Sequence, residues 1–343
     1  MRRRQASYFQ ETLVMSSGLK SGGKIPGWLC KVFLMLALAA GVAGCASVED
    51  RAGVIENPSG TQSPAPRDFV FNDGGQAVYY SFAVGSPVSE SPVIFFISGS
   101  GCESVKRRFP VFFDPVQTRL NADVFVLQKR GIADGADGKT CSDAFRESAY
   151  FDRIVADQRE FIDAMFRSMW RKPKAVVIIG ASEGALVAAR IAALDDRFTN
   201  LALIGGGGTS MRENLRLLAG KHWYFGNLQT TLDRIDANPD SLEMTACGHS
   251  YKYWSSMLDV DMGDLLLKTN ALILAGMGAK DESVPVETMS KLKKRFAAAG
   301  KNNLSVYVYP DANHRLYSSA QSHSYSKEFL EALVADIDKA GHR

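Results

Sequence analysis

Gly180-Ala181-Ser182-Glu183-Gly184 sets a serine between two glycines, directly after the apolar run Ala175–Ile179 (AVVII) and ahead of an Ala/Leu-rich stretch that reaches Leu194. A bare G-x-S-x-G arises by chance, but a strand before it and a helix after it make it informative. A turn that sharp lifts the serine hydroxyl clear of a sheet, and the glycines are needed because side chains there would strike neighbouring backbone. The chemistry on offer is nucleophilic attack. A lone serine is a poor nucleophile, so a base and an orienting acid must be sought elsewhere.

Five histidines are available. His342 lies at the chain end, His323 in a Ser-rich run, and His222 and His249 inside a long aromatic segment. His314 follows the apolar run Leu304–Tyr309 (LSVYVY) through Pro310-Asp311-Ala312-Asn313. That puts it in a loop at the C-terminal edge of a sheet, where a base can reach Ser182; the plain alternative is a surface-loop histidine. For the acid, Ala271–Ala275 (ALILA) leads into GMGAKDESVP, which holds Asp281 and Glu282. Asp281 is the choice and Glu282 the fallback, because sequence does not separate two neighbours, while Asp311 is too close to His314 along the chain. An oxyanion needs donors, most simply backbone N–H groups. Glu183, opening the helix after the nucleophile, and Ser100, in the loop after Pro92–Ser98 (PVIFFIS), are the candidates, with Gly99 and Gly101 allowing close approach. Gly99-Ser100-Gly101 lacks the continuation of a phosphate loop, and Gly205–Gly208 reads as space beside the nucleophile helix. No C-x-x-C or Cys/His ligand spacing occurs, so no metal is expected, and this chemistry calls for no cofactor.

The elements that must position these groups alternate. Phe69–Phe71 and Ala77–Val84 flank Asn72-Asp73-Gly74-Gly75 and read as a hairpin. Pro92–Ser98, Ala122–Gln128, Ala175–Ile179, Leu201–Ile204, Ala271–Ala275 and Leu304–Tyr309 read as buried strands. Helices are expected over about 151–170, 183–194, 286–299 and 325–339, the first with a core face of Ile154, Phe161, Ile162, Met165, Phe166 and Met169. Strand–helix alternation means an α/β fold with a mostly parallel sheet. Residues 209–270 form an aromatic, helical insertion with Trp223, Tyr224, Phe225, Tyr251, Tyr253 and Trp254. A cap over the sheet's C-terminal rim is the expected use, ordinary surface helices the alternative.

With these residues in place, the chain resembles the α/β-hydrolase superfamily across about residues 69–340. The resemblance rests on the Ser98-Gly99-Ser100 loop, the GASEG turn, Asp281 and His314, in the order Ser, Asp, His. The run LILAGMGAKDESVP looks like the acid loop of dienelactone-hydrolase-like and prolyl-oligopeptidase-like members. The resemblance implies a serine hydrolase acting on a small-molecule ester or other acyl substrate, most simply a carboxylic ester. Ser182 attacks, His314 relays the proton, Asp281 holds the imidazolium, and the Glu183 and Ser100 N–H groups take the negative charge. A serine peptidase of similar fold is one alternative; a non-catalytic envelope lipoprotein that keeps the fold for binding is another. Two departures stand out: Ser98-Gly99 where many members carry His-Gly, and Glu183-Gly184-Ala185 after the serine rather than paired glycines.

Composition bounds the rest. The 343 residues are 46% hydrophobic and 22% charged, which excludes wholesale disorder and collagen-like or coiled-coil chains. The net charge is +3, but residues 1–44 hold six basic residues against Glu11, so the body is slightly acidic and no nucleic-acid partner is expected. Val32–Ala43 is an apolar run after Lys20, Lys24 and Lys31, too short to span a bilayer and built like a secretory signal over 1–44. Its end, Val42-Ala43-Gly44-Cys45, resembles a bacterial lipobox, which implies a lipid on Cys45 and a membrane partnership through that anchor. A plain signal cut nearby is the alternative, and Met15 is an alternative start. By the same resemblance, Ala46 after the cysteine implies sorting to the outer membrane, facing the periplasm of a Gram-negative cell, where a CoA thioester is not the expected substrate. Residues 45–68, rich in Pro, Ser and Gly, read as a tether to a domain over 69–343. Of the remaining cysteines, Cys102 and Cys141 are expected in loops on one rim and are the favoured disulfide, leaving Cys247; three thiols is the alternative.

Overall fold

The computed structural model describes residues 64–88, 90–108, 121–169, 172–221 and 227–340. The expected signal, the lipid site at Cys45, most of the tether, the cluster His222-Trp223-Tyr224-Phe225, and His342 lie outside the described residues.

A hairpin of β1 (Arg67–Val70) and β2 (Gln76–Val84) leads into β3 (Val93–Ile97) and β4 (Ala122–Leu127). Then come α1 (Asp143–Ser148), α2 (Phe151–Ser168), β5 (Val176–Ala181), α3 (Glu183–Ala192) and β6 (Asn200–Ile204). The insertion follows: α4 (Met211–Lys221), α5 (Leu228–Ala237), the small hairpin β7 (Thr245–Ala246) and β8 (His249–Ser250), α6 (Tyr251–Leu258) and α7 (Met262–Leu266). The chain closes with β9 (Leu272–Gly278), α8 (Glu287–Ala298), β10 (Leu304–Tyr309), the hairpin β11 (Tyr317–Ser318) and β12 (His323–Ser324), and α9 (Ser326–Ala340).

Eight strands form one sheet in the order β1-β2-β4-β3-β5-β6-β9-β10. The pairs β1–β2 and β2–β4 are antiparallel, and from β4 through β10 every pair is parallel. This is the α/β-hydrolase architecture, a mostly parallel sheet flanked by helices. The central strands are apolar throughout because both faces are covered. In β3, Val93, Phe95 and Ile97 face the core shared with α2, α3 and the insertion, while Ile94 and Phe96 face the core closed by α9 through Phe329, Leu330 and Leu333. The period of two along a strand produces this division.

The α2 face runs as expected, with Ile154, Phe161 and Ile162 buried and Met165, Phe166 and Met169 partly buried against them. The insertion is more broken than its helical pattern suggested, since β7–β8 interrupts the helices. Its Tyr251, Tyr253 and Trp254 are buried in the main core. Arg212 braces it, gripping Asp236 from α5 (2.8 and 3.0 Å) and Asp259 after α6 (2.6 and 2.7 Å). Among the described residues, no helix is long and apolar enough to cross a membrane.

Candidate active site

In an open parallel sheet the strand order reverses near the middle, and loops at the C-terminal strand ends gather there. Here these are the loops after β3, β5, β6, β9 and β10. They carry Ser100, Ser182, Gly205, Asp281 and His314 respectively.

Ser182 sits between β5 and α3 with φ 54° and ψ −120°, a strained conformation that turns its side chain off the sheet. A Cβ at Gly180 would lie 2.4 Å from Gly184 O, and one at Gly184 would lie 2.3 Å from Ile97 O, so both glycines are required by close backbone approach. Ser182 N–H donates to Ile204 O at 2.7 Å, carrying the β5–β6 pairing one residue past the strand.

The acid and base loops follow the neighbouring strands β9 and β10 and are laced together. Ala279 N–H donates to Tyr309 O at 2.8 Å and Lys280 N–H to Ala312 O at 2.9 Å. This brings His314 Nδ1 to 2.7 Å from Asp281 Oδ2. The Asp281 side chain is fully buried and the His314 side chain 19% exposed. With the carboxylate accepting from Nδ1–H, Nε2 is left as the basic nitrogen. Glu282 is exposed, and Asp311 is committed to Ser318 and to Tyr325 (2.7 Å), so neither competes for the imidazole. Ser182 and His314 flank one backbone point: a Cβ at Gly205, the residue after Ile204, would lie 2.9 Å from His314 Cε1. Among the described residues, no hydrogen bond joins Ser182 Oγ to the imidazole. Such contacts commonly tighten only with substrate bound.

Of the described residues, the two other histidines are engaged elsewhere. His323 pairs with exposed Glu328 at 2.8 Å, and His249 stacks on Tyr253 with ring centroids 3.9 Å apart.

The loop after β3 lies against the elbow, since a Cβ at Gly99 would come within 3.2 Å of Ser182 Cβ. Cys102, just beyond it, is bonded to Cys141, with Cα atoms 5.5 Å apart. That disulfide fastens the loop to the segment before α1, and Cys247 stays a buried thiol. Behind the loop and elbow lies a buried polar group that the sequence did not flag as a unit. Lys129, two residues past the end of β4, donates to Gly99 O at 2.8 Å and makes an ion contact of 2.5 Å with Glu183 Oε1. Tyr253 OH donates to Glu183 Oε2 at 2.6 Å and is hydrogen-bonded to the Ser100 side chain. Burial works against the Glu183 carboxylate, but Lys129 and the Tyr253 hydroxyl outweigh it and hold its pKa below the usual range. The signal was Glu183 itself, a carboxylate at the start of a helix that is apolar but for Arg190.

Two cavities open from the site. A small one of about 30 Å³ lies beside Ser182, lined by Leu186, Gly206, Met211, Met257, Met262 and Val284 among others. A larger one of about 530 Å³ lies on the His314 side, lined by Lys280, Glu282, Asn313, Arg315 and Tyr317.

Comparison with known proteins agrees with the fold. The family model described as the prolyl oligopeptidase family (Peptidase_S9) matches residues 120–337. A probable dipeptidyl-aminopeptidase B of Talaromyces marneffei is 25% identical over 235 residues, covering 68% of this chain and 23% of that protein, so the chain spans about a quarter of the relative's length. Among solved structures, Est1E from Butyrivibrio proteoclasticus superposes with a TM-score of 0.56 at 12% identity, over 81% of this chain and 99% of that one. Uncomplexed acylaminoacyl peptidase of Pyrococcus horikoshii gives 0.56 at 12% identity, over 81% of this chain and 42% of that one. These likenesses extend the fold to both esterases and peptidases.

Proposed function

The chain belongs to the prolyl oligopeptidase family, and from that premise we propose that it is a serine hydrolase cleaving a short acyl group from a polar leaving group, most simply a carboxylic ester. The observation that carries the reading is the joint placement of Ser182 on its strained turn and the His314–Asp281 pair across Gly205. Ser182 Oγ attacks the acyl carbon while His314 Nε2 takes its proton. Asp281 holds the resulting imidazolium, and the N–H groups of Glu183 and Ser100 receive the oxyanion. The imidazolium then protonates the leaving group, and water, activated by the same nitrogen, hydrolyses the acyl-enzyme.

The two cavities support this choice of substrate class. About 30 Å³ beside the nucleophile has room for only about two water molecules, which suits an acetyl-sized acyl group and not an aryl one. The leaving group lies on the side of the base that protonates it, where about 530 Å³ is lined by charged and polar side chains. The insertion, whose Met257 and Met262 line the small cavity, serves as the cap that sets this limit. A peptidase reading is favoured by the family and by the aminopeptidase relative, and it uses the same groups with an amine leaving.

The test is fluorophosphonate labelling of the purified full chain with peptide mapping, followed by a p-nitrophenyl ester series and aminoacyl p-nitroanilides. An adduct on Ser182, absent in Ser182→Ala, and preference for acetate over octanoate support the reading. Labelling with turnover of anilides alone favours the peptidase. A folded protein that neither labels nor turns over any of them favours a binding role.

Location belongs to the same proposal: a lipid on Cys45 anchors the domain outside the cytosol, facing the periplasm from the outer membrane. The Cys102–Cys141 bond supports an oxidising compartment. Membrane fractionation that is unchanged by Cys45→Ala would remove the anchor.

A further inference from the structure

Lys129 lies two residues past the end of β4, the strand beside β3, and is only 7% exposed. Its ammonium holds Gly99 O at 2.8 Å. The Gly99 carbonyl and the Ser100 N–H belong to one planar peptide group, and in a trans peptide they point in opposite directions. Whatever holds the carbonyl on one side therefore aims the N–H on the other. A cation on the carbonyl oxygen also polarises the peptide and makes its N–H a stronger donor.

The second half of the arrangement is Glu183. Its backbone N–H opens α3, while its carboxylate contacts Lys129 at 2.5 Å and accepts from Tyr253 OH at 2.6 Å. Tyr253 is bonded in turn to the Ser100 side chain. The ring closes: Lys129, Gly99–Ser100, Tyr253, Glu183, and Lys129 again. Both candidate oxyanion donors are thus braced by one set of buried groups, and α6 of the insertion supplies one of them. A buried ion pair is a poor device for stability, since apolar groups of equal volume commonly serve as well or better. Alignment is the use that its geometry fits.

We infer that Lys129 is a positioning residue for the oxyanion site, aiming the Ser100 N–H through the Gly99 carbonyl, with Glu183 and Tyr253 holding the ammonium in place. The inference rests on the serine-hydrolase reading above.

Lys129→Met alone strands a buried carboxylate, so the test uses the charge-neutral pair Lys129→Met with Glu183→Gln. The measurements are kcat and KM for p-nitrophenyl acetate, and Ki for a short alkyl trifluoromethyl ketone, which forms a tetrahedral adduct on the serine. Loss of one oxyanion donor lowers kcat by about 100- to 1,000-fold, so misaiming one predicts a fall of at least about 30-fold. That fall is carried by kcat, with KM nearly unchanged and the ketone weakened in proportion to kcat/KM. A folded pair variant with kcat within about threefold of the parent overturns the inference, as does a loss in KM alone. If the pair variant does not fold, Tyr253→Phe decides: a fall in kcat of about fivefold or more supports it, and an unchanged kcat overturns it. A parent that neither labels nor hydrolyses overturns both the serine-hydrolase reading and this inference; an active parent with unaffected variants overturns this inference alone.

Discussion

Asp281 Oδ2 lies 2.7 Å from His314 Nδ1, and the other carboxylate oxygen of Asp281 accepts from the backbone N–H groups of Ser283 (2.8 Å) and Val284 (2.9 Å). With both oxygens engaged and the side chain fully buried, the carboxylate has no freedom to swing away from the imidazole. The ring plane and tautomer of His314 are set by that one contact. Adjacent Glu282 is exposed and takes no part in it.

The two neighbouring acids therefore separate by mutation. Asp281→Asn keeps the shape but cannot stabilise an imidazolium, and kcat for p-nitrophenyl acetate is expected to fall by about 1,000-fold or more. Glu282→Gln is expected to stay within about twofold, since it removes only an exposed charge. Equal losses in the two would reject Asp281 as the orienting acid.

Gly205 is the backbone point shared by nucleophile and base. It has φ +61°, and a Cβ there would lie 2.9 Å from His314 Cε1 and 3.0 Å from its Nδ1. Gly205→Ala is expected to lower stability by about 1 kcal/mol through the backbone. It is also expected to reduce kcat by about tenfold or more, because small displacements of a catalytic group are costly. Full activity together with reduced stability would mean that the ring can shift without consequence.

The candidate site was legible in the sequence to the extent that it follows local rules. Ser182, Asp281 and His314 each stand just after an apolar run, and a parallel sheet gathers such positions along one edge. The glycines around Ser182 announce a turn on their own. Lys129 was not legible, although it stands two residues before Gly131 in the same loop. Its partners Gly99 and Glu183 lie 30 and 54 residues away, and they meet only because β4 pairs beside β3 on the side away from β5, an order that local pattern does not encode. The same holds for Tyr253, which reads as one aromatic among several until α6 is seen against the elbow. The hairpin β7–β8 was missed because two-residue strands carry no periodicity.

Cys102 stands two residues beyond Ser100 and is fixed to Cys141, 39 residues on. Replacing both by alanine is expected to lower unfolding free energy by about 2–4 kcal/mol, measured in urea. Activity well below the unfolding transition should fall as well, because the bond ends the loop that carries Ser100. A double variant with reduced stability and unaltered kcat would show that the remaining contacts of that loop suffice.

His249 stacks on the Tyr253 ring, and burial pushes its pKa down to about 4, against a pull upward from Glu183 and a further push downward from Lys129. In the unfolded chain the ordinary value is about 6.5. Between those two values the unfolded chain binds a proton that the folded one refuses. The stability contribution is therefore complete above about pH 6.5 and is lost as the pH falls toward 4. Full linkage over that interval amounts to about 3 kcal/mol, and partial exposure of the ring reduces the expectation to about 1–2 kcal/mol. Urea unfolding of the parent and of His249→Asn at pH 7 and pH 4.5 measures it. The parent is expected to lose about 1–2 kcal/mol more than the variant over this interval. Equal acid losses in the two would mean that the folded protein accepts the proton on His249 near the ordinary pKa, with Tyr253 and Glu183 yielding to the new charge.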